Sequence, residues 1–366
     1  MKNAYSCLLA ICFCVLSLIA SARAQEASQP GQVSSDSARS RDHDGLGLFD
    51  TDAPLELTLK ADLKALLKDR GENRSYHSAT LAYFAEDSAT VSLDLKAKTR
   101  GIFRRKFGNC DVPPLMLNFK KKQVERTLFE NQDKLKLVTH CRNRQKTYEQ
   151  YLLQEYLAYR VYNLLTDKSL RVRLVRMTYQ DSTGKRDPFT EFAFLLEDEE
   201  AMAKRNKGII VDTQGKTVQQ LWIDAEHMVL AAVYQYMIGN TDWSLPGLHN
   251  IELIQVEGIS DPIAVPYDFD FAGVVNAHYA IPAAQVSIKT VRERIYRGFC
   301  RPEADLMSIL ARFNQQREAI YALYQNNSFL DQKQIKSTLK YFDEFYEIIN
   351  DPKRVKRAIL DACRKD

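Results

Sequence analysis

The order of the apolar patterns along the chain constrains its fold most strongly. Segments in which apolar and polar residues alternate, the period of a β-strand, fill most of the first half, as at 55–59 and 115–119. One long segment with helical spacing, 148–165, interrupts them. The second half has mainly helical patterns and one pair of short strands, at 250–256 and 261–268. This order predicts an α+β protein whose β-rich first part carries one long helix and whose second part is α-rich.

The remaining predicted elements follow the same two patterns. Further strands are predicted at 79–84, 89–95, 170–179 and 189–196, and further helices at 217–238, 285–299, 304–324, 331–349 and 355–365. The acidic run 197–200 follows the last strand of the first half. It is typical of a hinge between two lobes, and equally of the start of a helix.

The N-terminus has the parts of a secretory signal peptide. Lys2 supplies a positive charge, residues 8–19 form an apolar run, and Ala22-Arg23-Ala24 matches a cleavage site. We expect residues 1–24 to be removed and the mature chain to be periplasmic or extracellular, without a membrane span. Residues 25–53 begin with a polar stretch rich in Ser, Gln, Asp and Arg, which predicts a flexible lead-in.

Charge and cysteine content narrow the class of protein further. The formal net charge of +4 falls to +2 without the signal peptide, which contains two basic residues and no acid. This charge is too close to neutral to indicate binding to nucleic acid. Four cysteines remain in the mature chain, and an even number in an exported protein favours disulfides. We favour Cys110–Cys141 and Cys300–Cys363, since each pair lies within one predicted lobe; a zinc site is the alternative.

The segment 238–273 contains most of the residues that indicate chemistry. Asp242 lies in a loop, Asn250 opens a strand, and Asp268 and Asp270 follow the next apolar strand. In phosphoryl transfer one carboxylate orients the attacking hydroxyl, while an Asn and an Asp hold the metal that bridges the phosphates. Asp242 is therefore the candidate catalytic residue, and Asp268, Asn250 and Asp270 are candidate ligands for Mg²⁺ or Mn²⁺. Turn-capping acids and a strand-entry Asn are the structural alternatives.

Basic residues of the first half are candidates for binding the phosphates of a nucleotide. Lys120, at the end of a predicted strand, would contact the α- and β-phosphates, and Glu155 on the long helix would hold it. The next lysine faces the opposite way and is the alternative. Arg100 and Arg104 are candidates for bidentate contacts to phosphate. Surface charge pairs explain the same residues without a ligand.

These residues resemble the secreted kinase-like family of the bacterial spore-coat protein H (CotH) type. Arg100 with the following glycine is similar to the family's Arg-Gly loop, and 117–120 to its lysine-bearing strand. The residues 240–242 with Asn250 look like its catalytic loop, and 266–270 like its metal-binding segment. The resemblance implies a two-lobed protein-kinase-like fold that binds ATP with Mg²⁺ or Mn²⁺.

The expected lobes are 54–198 and 199–366, and the resemblance spans roughly 54–300. The implied activity is transfer of the γ-phosphoryl group to a hydroxyl of a protein or envelope component. One alternative is a catalytically inactive kinase-like module that binds or stabilises an envelope assembly. A second is a hydrolase in which Asp242 and Asp268 form an acid/base pair. The P-loop, GxGxxG, GxSxG and HExxH motifs are missing from the sequence, which argues against the enzyme classes that use them.

Overall fold

The computed structural model describes residues 47–85 and 88–365. The predicted signal peptide and most of the lead-in lie outside these residues. The described end of the lead-in packs on the first sheet, because Leu48 is buried in its core and Asp50 forms an ion pair with Arg171 at 2.9 Å. Among the helices of the described residues, none has the length and apolar character needed to cross a membrane.

Seven strands of the described part of the chain form the first sheet. They are β1 Leu55–Ala61, β2 His77–Phe84, β3 Thr90–Thr99, β4 Leu115–Phe119, β5 Lys134–Thr139, β6 Val172–Asp181 and β7 Phe189–Leu196, and the short helices α1 Leu63–Lys68 and α2 Lys121–Val124 lie in the connections. The sheet closes into a barrel in the order β1-β2-β3-β4-β5-β7-β6, with only the β1–β6 pair parallel. Alternate side chains such as Leu59, Leu81 and Leu117 are fully buried inside it.

The long helix α3, Lys146–Leu165, extends the predicted helix 148–165 by one half-turn. It packs against β6 and β7 on one side and against the helices of the second half on the other. Gln150 and Gln154 on its buried surface donate hydrogen bonds to Phe329 O and Thr338 Oγ1. Because both sides of the helix are covered, it joins the barrel to the helical half of the protein.

The second half is built from helices around a small antiparallel sheet of order β10-β9-β8. Its elements are α4 Glu199–Arg205, β8 Gly208–Ile210, α5 Ala225–Ile238, β9 Ile251–Val256, β10 Ile263–Pro266, α6 Glu303–Gln315, α7 Arg317–Gln325, α8 Gln332–Ile349 and α9 Pro352–Val355. The predicted strand pair and the helix predicted at 331–349 are confirmed, and their observed ends differ from the predicted ends by no more than two residues. The described chain is thus a mixed α+β protein, as predicted.

Two predicted helices are wrong in extent. The helix 217–238 begins only at Ala225, because the Asp224 side chain accepts a hydrogen bond from His227 N at 3.0 Å and caps it there. The helix 304–324 is divided into two at Gln316.

The helix predicted at 285–299 does not form. Its basic side chains instead donate hydrogen bonds to backbone carbonyls of other segments: Arg292 to Gly273 O at 2.8 Å, and Arg294 to Met237 O at 3.1 Å. These bonds hold residues 285–299 in a series of turns against other segments of the second half. The tertiary partners of the arginines therefore override the local helical pattern.

Both favoured disulfides, Cys110–Cys141 and Cys300–Cys363, are confirmed, which excludes the zinc alternative for these cysteines. The second one ties the C-terminal tail to the turn region before α6. The helix predicted at 355–365 forms only in its first part, because α9 continues as a π-helix over Lys356–Leu360. The chain after it runs beside Gly298, where Arg364 N donates to Gly298 O at 2.9 Å.

Candidate functional site

The loop that carries Asp242 starts where α5 ends. Gly239 adopts a left-handed conformation with φ of 68°, and a Cβ at this position would collide with the hydroxyl of Tyr341 on α8. Only glycine satisfies both constraints. Asn240 then accepts a hydrogen bond from Asp242 N at 2.9 Å, which turns the loop and leaves the Asp242 side chain partly exposed.

Both oxygens of the Asp242 carboxylate have partners. His249 Nε2 lies 2.8 Å from Oδ1, and the Asn250 side-chain nitrogen donates to Oδ2 at 3.2 Å and to the Asp242 carbonyl at 2.7 Å. The loop between Asp242 and Asn250 therefore folds back on itself, although the two residues are eight apart in sequence. His249 belongs to this site but was not among the predicted site residues. In the sequence, the position of His249 directly before Asn250 indicates that it belongs to this site.

The β9–β10 hairpin brings Asp268 to the same place. Tyr267 N donates to Asn250 O at 3.1 Å, and Asp268 N donates to the hydroxyl of Tyr159 on α3 at 2.8 Å. Asn250 and Asp268 both have positive φ angles, 54° and 61°. Such conformations are uncommon outside glycine and tend to occur at functional sites. The Phe269 ring, fully buried against Tyr159, holds this turn against the long helix.

Arg104 lies at the centre of the predicted acids. Its two terminal nitrogens donate to Glu155 at 3.1 and 3.2 Å, its Nε lies 3.4 Å from Asp270 Oδ2, and one terminal nitrogen lies 3.7 Å from Asp268 Oδ1. Arg104, Glu155 and Asp270 are buried, whereas the Asp268 side chain is 46% exposed. Three separate segments therefore meet around one guanidinium, which leaves Asp268 as the accessible acid.

The charges of this cluster are strongly coupled. Burial raises the pKa of Asp270 well above its usual range; the Arg104 guanidinium opposes that rise, and the negative charges of Asp268, Glu155 and Asp242 add to it. The loop after α5 and the segment after β10 converge, because Asn250 bonds both to Asp242 and to Tyr267 N. The predicted residues Asp242, Asn250, Asp268, Asp270, Glu155 and Arg104 are thus brought together.

The loop that carries Arg104 is anchored at both sides. The Cys110–Cys141 disulfide joins the loop to the residues after β5. The Phe103 ring packs against Phe271 and Tyr279, at centroid distances of 5.5 and 5.3 Å. Tyr279 also donates a hydrogen bond of 3.4 Å to Asp270. The loop from the barrel is therefore fixed onto the segment that follows Asp268.

Two further cations lie near Asp268. Burial and the like charge of Arg104 lower the pKa of Arg100, while Asp268 opposes this. Burial and the charge of Arg100 lower the pKa of Lys136, on β5, to about 8. Lys136 pairs with Glu199, whereas Arg100 forms no ion pair with any other residue of 47–85 and 88–365. Arg100 and Lys136 therefore present positive charge to the space beside Asp268.

Lys136 was missed by the sequence analysis, and Lys120 lies elsewhere. Lys120 is 59% exposed and pairs with Asp94 at 3.3 Å. Lys136 lies opposite Met116 on the neighbouring strand, and Lys120 is four residues further along, roughly 13 Å at ~3.3 Å per residue. In the structure the partner of Glu155 is Arg104, not Lys120. The signal for Lys136 is its place on the strand that directly precedes the long helix.

The acids fit a hard divalent cation that is shared with a ligand. Within the described residues, no three His, Cys, Asp or Glu side chains are placed to hold a metal ion unaided. Mg²⁺ usually takes one or two carboxylates and completes its shell with phosphate and water. The exposed Asp268 carboxylate and the side-chain oxygen of Asn250, whose nitrogen is used by Asp242, suit that role. Asp270 fits less well because Arg104 and Tyr279 already bind it.

Comparison with known proteins finds distant likeness among solved structures only. No protein-family model and no curated protein matches the chain. Among solved structures, it is similar to the Helicobacter pylori proinflammatory kinase CtkA, with 13% identity and a TM-score of 0.37 over 68% of this chain and 92% of that one.

Proposed function

We propose that this protein is an exported, kinase-like phosphotransferase that moves the γ-phosphoryl group of ATP to a hydroxyl of a protein or envelope component. The observation that carries the proposal is the convergence of Asp242, Asn250 and Asp268 from separate segments, beside the cations Arg100 and Lys136. A loop acid, a following Asn and an acid after the next strand are the parts that kinase-type transfer requires.

The order of elements supports the same proposal. The strand β5 with Lys136 precedes the helix α3 with Glu155, and the strand β7 leads through Glu197 into α4. Protein kinases likewise place a lysine on a strand and a glutamate on the helix that follows it. The barrel 54–198 would then be the first lobe, and 199–366 the second. This chain departs from the usual pairing, since Arg104 takes the position next to Glu155.

Asp242 has the environment of a residue that receives a proton. The bonds from His249 and Asn250 fix the orientation of its carboxylate, which remains about one third exposed. The oxygen of an acceptor hydroxyl would form a bond to the γ-phosphorus as the bond to the β–γ bridging oxygen breaks. The proton of the hydroxyl would pass to Asp242, and ADP would leave with the electron pair of the broken P–O bond. Positioning of the hydroxyl supplies most of such an effect.

The remaining residues would hold the triphosphate. Arg100, which forms no ion pair within residues 47–85 and 88–365, would contact phosphate oxygens, and Lys136 would add a second contact by exchanging its partner Glu199 for phosphate. Asp268 and Asn250 would hold Mg²⁺ or Mn²⁺, which neutralises phosphate charge when it is bound. Arg104 would act through the acids, because its guanidinium is bound to Glu155 and Asp270.

The proposal is tested by separating nucleotide binding from transfer. We expect ATP with Mn²⁺ to raise the melting temperature of the mature protein, and we expect phosphate transfer to itself or to a mixed protein substrate. Asp242→Asn should lower transfer about 10²- to 10⁴-fold and keep the nucleotide-dependent shift. Asp268→Asn should weaken both. Asp261→Asn, an exposed acid in the β9–β10 turn, is the matched control and should change neither.

Two results would contradict the proposal. Full transfer by the Asp242 variant would remove that residue from the chemistry. A mature protein whose melting temperature responds to no nucleotide, with or without Mn²⁺, would favour the inactive envelope module.

A further inference from the structure

A cavity of about 860 Å³ opens beside Asp242. Asp242 and His249 lie on its wall, so a molecule that fills the cavity reaches the carboxylate proposed to receive the proton. Its other walls are partly apolar, formed by residues such as Trp243 and Tyr296. None of the residues proposed to hold the triphosphate lines it. The cavity is therefore placed for the acceptor and not for the nucleotide.

Two arginines give the cavity its charge. Arg297 donates a hydrogen bond to Thr241 O, directly before Asp242, and its guanidinium lies 5.8 Å from the Trp243 ring. Arg364 lines the same cavity from the C-terminal tail, with its guanidinium 5.0 Å from the ring of Phe299. Burial and the charge of Arg364 lower the pKa of Arg297.

The cavity holds a surplus of positive charge. Neither arginine forms an ion pair within residues 47–85 and 88–365, and Asp242 is the only acid on the cavity wall in that part of the chain. Two like charges beside one carboxylate favour the binding of an anionic group. An anion bound there lies near the backbone of Asp242, and so near the hydroxyl that reacts.

A disulfide fixes the backbone next to Arg364. The Cys300–Cys363 disulfide precedes it by one residue, and the backbone of Arg364 is paired on both sides, through its N to Gly298 O at 2.9 Å and its O from Cys300 N at 3.0 Å. The arginine is exposed and nevertheless held in place.

We propose that this cavity binds an acceptor polypeptide, and that Arg297 and Arg364 select segments in which a carboxylate or phosphate group lies next to the hydroxyl to be phosphorylated. The apolar walls beside the two cations fit a peptide that carries both apolar and acidic side chains. A nucleic acid fits less well, since the mature chain is close to neutral. The inference rests on the proposed transfer from ATP and names its substrate class.

The test uses synthetic peptides with one serine flanked by Glu, phosphoserine, Ala or Lys. With ATP and Mn²⁺, we expect the mature protein to show a kcat/KM at least about tenfold higher for either anionic peptide than for the Lys peptide. Arg364→Gln should lower this ratio about tenfold, which corresponds to about 1.4 kcal/mol and to the loss of one charged contact. Comparison of the Glu and phosphoserine peptides identifies the preferred anion.

Lys365→Gln is the matched control, because it removes the same charge from the neighbouring exposed residue, which is not on the cavity wall. It should leave the ratio unchanged. Transfer without preference, a preference for the Lys peptide, or an equal loss in both variants would overturn the acceptor inference alone. A mature protein that neither binds ATP with Mn²⁺ nor modifies any peptide would instead defeat the proposed function.

Discussion

Replacement of Arg104 by Met tests the structure of the site without any assumption about its activity. Met keeps most of the length of the side chain and removes the charge. In the native protein this charge faces Glu155 at 3.1 and 3.2 Å and Asp270 at 3.4 Å, and both acids are buried. The variant would therefore leave two buried carboxyl groups without a counter-ion.

The magnitude follows from the burial of these groups. Removal of one partner from a buried ion pair costs about 3–5 kcal/mol, because the other charge stays in the interior. At about 2 °C for each kcal/mol in a chain of this size, we expect the melting temperature to fall by about 6–10 °C at pH 8. Differential scanning calorimetry or thermal fluorescence measures this shift directly.

The loss should depend on pH in a defined direction. Arg104 is what opposes the raised pKa of Asp270, so the variant raises the folded-state pKa of that acid further. An acid whose folded pKa lies above its unfolded pKa binds more protons when folded, and its contribution to stability therefore falls as pH rises. The difference from the native protein should be smaller at pH 4.5 than at pH 8.

Lys120→Met is the control, since its partner Asp94 is exposed and surface pairs contribute little. It should leave the melting temperature almost unchanged at both pH values. If Arg104→Met melts like the native protein at pH 8, the buried cluster does not exist as described. A loss that is larger at pH 4.5 would refute the reasoning on charge.

Two further predictions follow from single contacts. Lys136→Met should raise the Kd for ATP with Mn²⁺ about tenfold in a calorimetric titration, as expected for the loss of one charged contact. Lys134 is exposed on the same strand, and Lys134→Met should leave the Kd unchanged. Equal effects of the two substitutions would remove Lys136 from the nucleotide site. Joint replacement of Cys300 and Cys363 by Ser should lower the free energy of unfolding by about 4 kcal/mol, since the disulfide closes a separation of 63 residues. An unchanged denaturant midpoint would contradict that link.

The sequence was sufficient for elements whose pattern is local. The strand 189–196 is found at the predicted residues, and the long helix differs by two residues at its start. Prediction from the sequence failed where tertiary contacts decide the conformation. The helical pattern of 285–299 is real, but the arginines within it bind carbonyls of Gly273 and Met237, and the chain forms turns there.

The site divides in the same way. Asp242, Asn250, Asp268 and Asp270 lie within one segment of the sequence, and their order alone indicated that they belong together. The partner of Glu155 depends on how the loop between β3 and β4, which carries Arg104, packs against α3, and no local pattern contains this information. Contacts between residues 51 apart in sequence are decided by packing, and they were not predicted.

The choice between Lys120 and Lys136 shows the same limit. Lys120, in a run of lysines at the end of a strand, was the predicted phosphate-binding residue. In the structure it is exposed and pairs with the surface acid Asp94. Lys136 lies in an alternating strand that the sequence analysis did not assign, although β5 directly precedes the helix of Glu155. The connectivity of strand and helix is therefore the better guide to the largely buried lysine of this part of the chain.

A crystal structure of the mature protein with Mn²⁺ and a non-hydrolysable ATP analogue tests the central claim most directly. The anomalous signal of manganese locates the ion independently of the nucleotide. We predict an ion bound to the Asp268 carboxylate, with the γ-phosphate between it and Asp242. Manganese and nucleotide bound elsewhere, or a complex that does not form at millimolar ligand, would contradict the account.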